Sequence, residues 1–256
     1  MKERQQKIFE ILNRQGSATV EQLKNAVFAS TATIRRDLDK MEQQGMLFRV
    51  WGGAVSANKG TSDPPSFVRH NDNINAKKKI AQNAISFLKN GASVFFPSGT
   101  TVSYLAKLFD SFEDVTVITT CPDIVDILKV NPLMKVISLG GELYEGYDFV
   151  GTLTANNIDN FNADLLFFSC SGLTADGFTS TDAVRLDIIR RMQKNSAKTI
   201  LLVDTSKVGK KFIYQGFDLD KIDYVIMENL PDDKELIQRL GKKLITTNIP
   251  KEEQGR

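Results

Sequence analysis

The segment Ser30-Thr31-Ala32-Thr33-Ile34-Arg35-Arg36-Asp37-Leu38, with Gly45 and Gly52-Gly53 downstream, constrains this chain more than any other. Ser30 suits a helix N-cap, because its hydroxyl can accept a hydrogen bond from a first-turn amide. Ile34, Leu38 and Met41 then recur at i, i+4 and i+7, one face of a helix. Gly45 suits the left-handed residue that ends it. At about 100° per residue from Ile34, Ala32 and Arg36 fall at about 160° and about 200°, and Thr33 and Lys40 at about 240–260°. An oily side therefore docks inward while Ala32, Thr33, Arg36 and Lys40 face out. Arg35, at about 100°, sits on the flank.

The flanking residues fit the same unit. Ile8, Ile11 and Leu12 recur between charged residues, an amphipathic helix ending near Gly16. Val20 to Ala26 is a short second helix anchored by Leu23, and Val27-Phe28-Ala29 is the turn into the third. Leu47-Phe48-Arg49-Val50 and Gly52-Gly53 make a strand and tight turn, a wing from which Arg49 reaches backbone or minor groove. Three helices and a wing place the start of the third helix, Ser30 to Thr33, at base edges in a major groove. Arg36 can fork onto a guanine there, Thr33 or Ala32 can touch a thymine methyl, and Arg35 can meet phosphate. The competing reading is a three-helix docking domain whose third helix is merely solvated.

Charge supports the DNA reading. The whole 256-residue chain carries only +2, but residues 1–60 hold ten Lys and Arg against six Asp and Glu, +4, leaving −2 for the rest. A basic head on a slightly acidic body fits a DNA-contacting module joined to a second function. Two cysteines and one histidine give no disulfide framework and no zinc spacing, so neither metal nor cofactor is expected. The charged N-terminus is not a secretory signal and no apolar run approaches a membrane span, so a cytoplasmic protein with no membrane partner is expected.

Residues 59–74, with Gly60, Pro64-Pro65 and a run of polar side chains, read as a linker between a head at 1–58 and a body at 75–256. His70 within it reads as a surface residue. Beyond it, apolar runs at Ser93–Phe96, Val115–Thr119, Lys135–Leu139, Leu165–Phe168, Thr199–Val203 and Tyr224–Met227 alternate with helical stretches at Lys77–Leu88, Thr101–Phe109, Asp123–Val130, Leu186–Gln193 and Asp233–Lys242. That alternation predicts an α/β domain with a mostly parallel sheet covered on both faces, its ligands at the carboxyl ends of the strands. Four such ends carry small or polar residues: Ser98-Gly99-Thr100-Thr101, Gly140-Gly141, Ser171-Gly172, and Lys207. Where strand gives way to helix, Ser98–Thr101 reads as a phosphate cradle or as a capped structural turn. Cys170 to Asp182 reads as a long polar loop in which Asp176 and Asp182 accept sugar hydroxyls or cap the turn and the next helix. Cys121 and Cys170 read as small apolar fillers, with no adjacent histidine to activate them.

Thr33-Ile34-Arg35-Arg36-Asp37-Leu38, Gly45 and Gly52-Gly53-Ala54 resemble the N-terminal signature of the DeoR family of bacterial transcriptional regulators. Ser98-Gly99-Thr100-Thr101, Gly140-Gly141 and Asp204-Thr205-Ser206-Lys207 are similar, in order, to that family's effector domain, so the resemblance covers nearly the whole chain. It implies a body like the sugar-phosphate isomerases that senses a phosphorylated metabolite. Pro97 stands where the family usually has Asp, Thr120-Cys121 replaces a common Asn-Ser pair, Trp51 a frequent His, and Ile189 a frequent Lys.

The combined expectation is a repressor of a carbohydrate-utilisation operon, binding double-stranded operator DNA as a homo-oligomer (dimer or tetramer) and released by a phosphorylated sugar. The rival is an isomerase-like enzyme with a DNA-binding head, for which Glu142, Glu145, Asp176, Asp182 and Lys207 are the available acid, base and polarising groups. A pure oligomeric scaffold leaves the third helix unexplained.

Overall fold

A computed structural model describes residues 3–50, 52–56, 69–70, 72–145 and 147–247. The chain divides into two compact units, residues 1–72 and 73–256. Trp51 and residues 57–58 of the expected head, and residues 59–68 and 71 of the expected linker, lie outside the described residues.

The first unit runs α1 (Glu3–Gln15), β1 (Ser17–Thr19), α2 (Val20–Val27), α3 (Thr31–Gln43), β2 (Leu47–Val50) and β3 (Gly53–Ser56). Ile8 and Leu12 of α1, Leu23 of α2 and Ile34, Leu38 and Met41 of α3 form its core with Leu47 and Ala54, all 0–1% exposed. Thr19 and Gln22 form a reciprocal capping box at the start of α2. The strands pair antiparallel in the order β1-β3-β2. β1 escaped the sequence reading because three residues are too few to show a period. It pairs Ser17–Thr19 with Gly53–Val55 and ties the wing back to α1.

The second unit holds a seven-stranded, wholly parallel sheet ordered β15-β14-β12-β9-β4-β5-β6. Its strands are β4 (Ser93–Phe96), β5 (Thr116–Thr119), β6 (Lys135–Ser138), β9 (Ala163–Phe168), β12 (Ser196–Leu202), β14 (Tyr224–Met227) and β15 (Leu244–Thr246). Side chains alternate across a strand. Phe95, Leu166, Phe168 and Leu201 therefore pack on one face, while Val94, Phe96, Phe167, Ile200 and Leu202 pack on the other. Helices α4 (Ile74–Ala84), α5 (Thr100–Ala106) and α6 (Pro122–Leu128) feed the second core. Helices α7 (Thr152–Ile158), α8 (Ala183–Lys194) and α9 (Lys234–Leu240) feed the first. Burial on both faces is why the strands read as continuous apolar runs.

Two small antiparallel sheets lie outside the main one. β7 (Glu142–Tyr144) pairs with β8 (Asp148–Val150), and β10 (Gly172–Thr174), β11 (Gly177–Ser180) and β13 (Tyr214–Gln215) form a three-stranded sheet. The segment read as a long polar loop is thus largely the β10–β11 hairpin. Leu173 opposes Phe178 across it, and both enter the first core.

Candidate nucleic-acid interface and effector site

Ser30 has the extended backbone of an N-cap, and its hydroxyl accepts from the Thr33 amide at 3.2 Å and meets Thr33 Oγ1 at 2.9 Å. Sealing that first turn leaves its other amides free to meet an anion. Ala32, Arg35, Arg36 and Lys40 are exposed, and Thr31 and Thr33 are half-buried. Among the described residues no ion pair engages Arg35, Arg36 or Lys40, so their charge is available. Asp37, between the arginines and the core, is 5% exposed and accepts from Arg4 Nε at 2.6 Å and Gln5 Nε2 at 3.3 Å. That contact fixes α3 against α1 and sets the angle at which the arginines are presented. No sequence spacing linked residues over thirty apart. Arg49 is less free than the wing reading implies: its guanidinium pairs with Asp39, and its backbone amide donates to Glu42 Oε1 at 2.7 Å. The wing is strapped to α3, so Arg49 reaches DNA only by exchanging a carboxylate for a phosphate.

In the second unit the carboxyl ends of the strands carry a run of polar groups. They are Glu228 after β14, Asp204 after β12, Ser169 after β9, Ser98 after β4 and Thr120 after β5. The Ser98 hydroxyl donates to Asp148 Oδ2. Asp148, on β8, is 1% exposed, and burial pushes its carboxyl up to about 6 against the pull of the Ser98 and Thr120 hydroxyls and Arg185. Arg185 at the start of α8 lies 2.7 Å from Glu145, 2.9 Å from Asp182 and 3.7 Å from Asp148. Its guanidinium also stands 4.4 Å from the centre of the Tyr147 ring and 5.2 Å from that of Tyr144. Three carboxyls around one guanidinium make this corner acidic.

Several of the expected effector residues already have partners within the fold. The Ser98 hydroxyl is engaged with Asp148. Gly99 precedes α5 beside Ser169, and Thr100 and Thr101 are buried in the first turn of that helix, 7% and 4% exposed. Gly140-Gly141 packs the end of β6 onto α7, with Thr154 Oγ1 2.6 Å from the Gly140 carbonyl. A Cβ on Gly141 would overlap that hydroxyl. Gly172 is a buried strand residue whose added Cβ would overlap the Lys210 carbonyl, a packing role. Ser171 is buried beside it, its amide donating to the Thr179 carbonyl. Asp182 caps α8, accepting from the Val184 and Arg185 amides at 2.8 and 3.1 Å while pairing with the Arg185 side chain. The cap is the alternative that the sequence offers for Asp182, although the helix begins at Ala183, three residues before the expected Leu186. Asp176 pairs with Lys211 at 3.1 Å. Lys207 ends a 3-10 turn, Thr205–Lys207, and is half-buried.

A second polar group surrounds that turn. Asp204 accepts from Asn73 Nδ2 at 3.3 Å and the Ser206 amide at 3.1 Å. Glu228 accepts from the Thr205 amide and hydroxyl, and Lys77 of α4 is 4% exposed. Asn73, Lys77, Glu228, Asp148 and Arg185 are not singled out by the sequence, and Asp204 enters only through the motif that precedes Lys207; a lysine on a helix's buried face is the further signal that could have found this group. Burial raises the Cys121 thiol to about 12, so it is no nucleophile. Among the described residues no group of His, Cys, Asp and Glu is placed to hold a metal ion, and no helix is long and apolar enough to cross a membrane.

A family model of the DeoR-like helix-turn-helix domain matches residues 4–60, and one of the DeoR C-terminal sensor domain matches residues 72–229. The L-fucose operon activator of Haemophilus influenzae is 34% identical over 238 residues, 91% of this chain and 94% of its own length. The lactose phosphotransferase system repressor of Staphylococcus epidermidis is 29% identical over 232 residues, 89% of this chain and 92% of its own. The ribose 5-phosphate isomerase A of Methanocaldococcus jannaschii aligns with a TM-score of 0.40 at 16% identity, over 55% of this chain and 56% of that one, a likeness that carries no argument about activity. The helix-turn-helix head, the parallel α/β body and both family models agree: the chain belongs to the DeoR family of DNA-binding transcriptional regulators and is not an enzyme.

Proposed function

We propose that this regulator represses a carbohydrate-utilisation operon and is released from its operator by a phosphorylated sugar. The observation that carries the DNA half is α3 itself: a fully buried apolar stripe opposite exposed Ala32, Arg35, Arg36 and Lys40. In this reading Ser30, Thr31, Ala32, Thr33 and Arg36 meet base edges, and Arg35, Lys40 and Arg49 meet phosphates. The sugar half rests on the polar strand ends. Lys207 and the Ser98–Thr101 turn place the phosphate, while the acidic corner of Asp148, Asp182 and Arg185 suits the sugar hydroxyls better than an anion. Gly140, Gly141, Ser171 and Gly172 shape the walls. Two or four copies bring paired heads to half-sites about one helical turn apart.

The effector must bind the DNA-competent and released arrangements with different affinity, and about 1–3 kcal/mol of coupling per ligand is a typical magnitude. The test is to select a duplex from a random pool with the full-length protein, then add pentose and hexose phosphates. Release by one phosphate ester, and not by its parent sugar, is the expected result. Undiminished binding with every ester would overturn the effector reading.

A further inference from the structure

Phe28 is anomalous twice over. It is the C-cap of α2 with φ 50°, left-handed backbone that glycine or asparagine adopts readily and a bulky aromatic does not. Its ring is also 96% exposed, more than any other large hydrophobic side chain among the described residues. Both neighbours behave differently: Val27 and Ala29 pack against the head's core. The backbone turn itself is held by main-chain bonds, with the Phe28 and Ala29 amides both donating to the Lys24 carbonyl. Folding of the head therefore uses the backbone of residue 28 and leaves its ring idle. A side chain that strains its backbone and wets its ring gains its return from a contact outside the protomer.

The position says which contact. Phe28 lies two residues before Ser30, the cap of the helix whose first turn is aimed at base edges. The chain spans at most about 7 Å between them, within the reach of one aromatic side chain. Phe48, the other exposed aromatic among the described residues of the head, at 61%, sits in regular strand pairing with Val55 and carries no comparable strain.

We infer that Phe28 is a specificity residue that packs its ring on the 5-methyl group of a thymine at the edge of the site read by α3. An apolar ring on that methyl is an established mode of major-groove discrimination, and it needs no donor or acceptor. The inference rests on the DNA-binding reading and extends it beyond α3 to the turn.

The experiment compares the full-length protein with Phe28→Asn, using duplex selected by the wild type from a random pool. Asparagine keeps the left-handed turn, so Phe28→Asn melts no lower than wild type while its affinity for the selected duplex falls about tenfold. Each thymine of the duplex is then replaced in turn by deoxyuridine, which lacks only the methyl. At one position per half-site the wild type loses about fourfold, the affinity one buried methyl carries, and Phe28→Asn loses nothing further. A flat deoxyuridine series for the wild type, or equal losses in both proteins, overturns the inference while the DNA reading stands. Recovery of no duplex by the wild type ends both.

Discussion

Replacing Asp148 by asparagine isolates the cost of a carboxyl held in a dry corner of the sheet's carboxyl edge. Asp148 is 1% exposed, and burial lifts it from 3.8 to about 6 despite the Ser98 and Thr120 hydroxyls and Arg185 beside it. At 1.36 kcal/mol per pKa unit, that rise corresponds to about 3 kcal/mol. Because the folded value lies above the unfolded one, the native state holds the proton more tightly. The group's contribution to stability is complete below about pH 4 and is lost as pH rises through about 6. Asparagine keeps an acceptor for Ser98 and never ionises. The stability of Asp148→Asn relative to wild type should therefore rise by about 2–2.5 kcal/mol between about pH 4 and about pH 7.5. Any fixed offset from the lost Arg185 contact cancels in that difference. All five tyrosines lie in residues 104–224 and the single tryptophan is Trp51, so urea unfolding followed by tyrosine near-UV dichroism reports on the body alone. A difference independent of pH would refute the reasoning. A difference that grew in the opposite direction would mean that Arg185 outweighs burial and holds Asp148 ionised.

Asp37→Ala removes the acceptor that joins α3 to Arg4 and Gln5. Because Arg4 is partly exposed and can resolvate, the head should lose only about 1–2 kcal/mol, read by Trp51 fluorescence in urea, and operator affinity should fall with it. Lys207→Met should weaken release by the effective sugar phosphate by about 1.5–3 kcal/mol, the worth of a charge-assisted contact, without altering operator affinity in its absence. Measured by titrating the ester against a labelled operator complex, an unchanged midpoint would remove Lys207 from the site. Gly172→Ala should destabilise the body by about 1–3 kcal/mol, because its methyl meets the Lys210 carbonyl in a packed hairpin. Its urea midpoint should fall while the head's stays fixed.

The elements legible in the sequence are those whose physics is local. Six of the seven sheet strands announce themselves as short apolar runs, five of them because both faces are buried, while the edge strand β6 is only half-buried. The third helix of the head announces its cap, stripe and stop within sixteen residues. β15 was missed because Leu244–Thr246 is a three-residue edge strand following a helix and a 3-10 turn. The β10–β11 hairpin reads as a loop because Leu173 and Phe178 are its only apolar core side chains among polar neighbours. The site suffered most, for a related reason. Asp148 and Arg185 are 37 positions apart, and they meet only once the β7–β8 hairpin folds against α8. Ser98 looked like a free donor in sequence, whereas its proton is already taken by a residue fifty positions away.

The central claim is that the outward face of α3 reads duplex DNA, and Arg36 tests it most directly. With duplex selected by the wild type, fluorescence anisotropy should show Arg36→Ala losing about 1–3 kcal/mol of specific affinity, with relaxed discrimination at one guanine and unchanged unfolding. Equal affinity and equal discrimination in the two proteins would contradict the account.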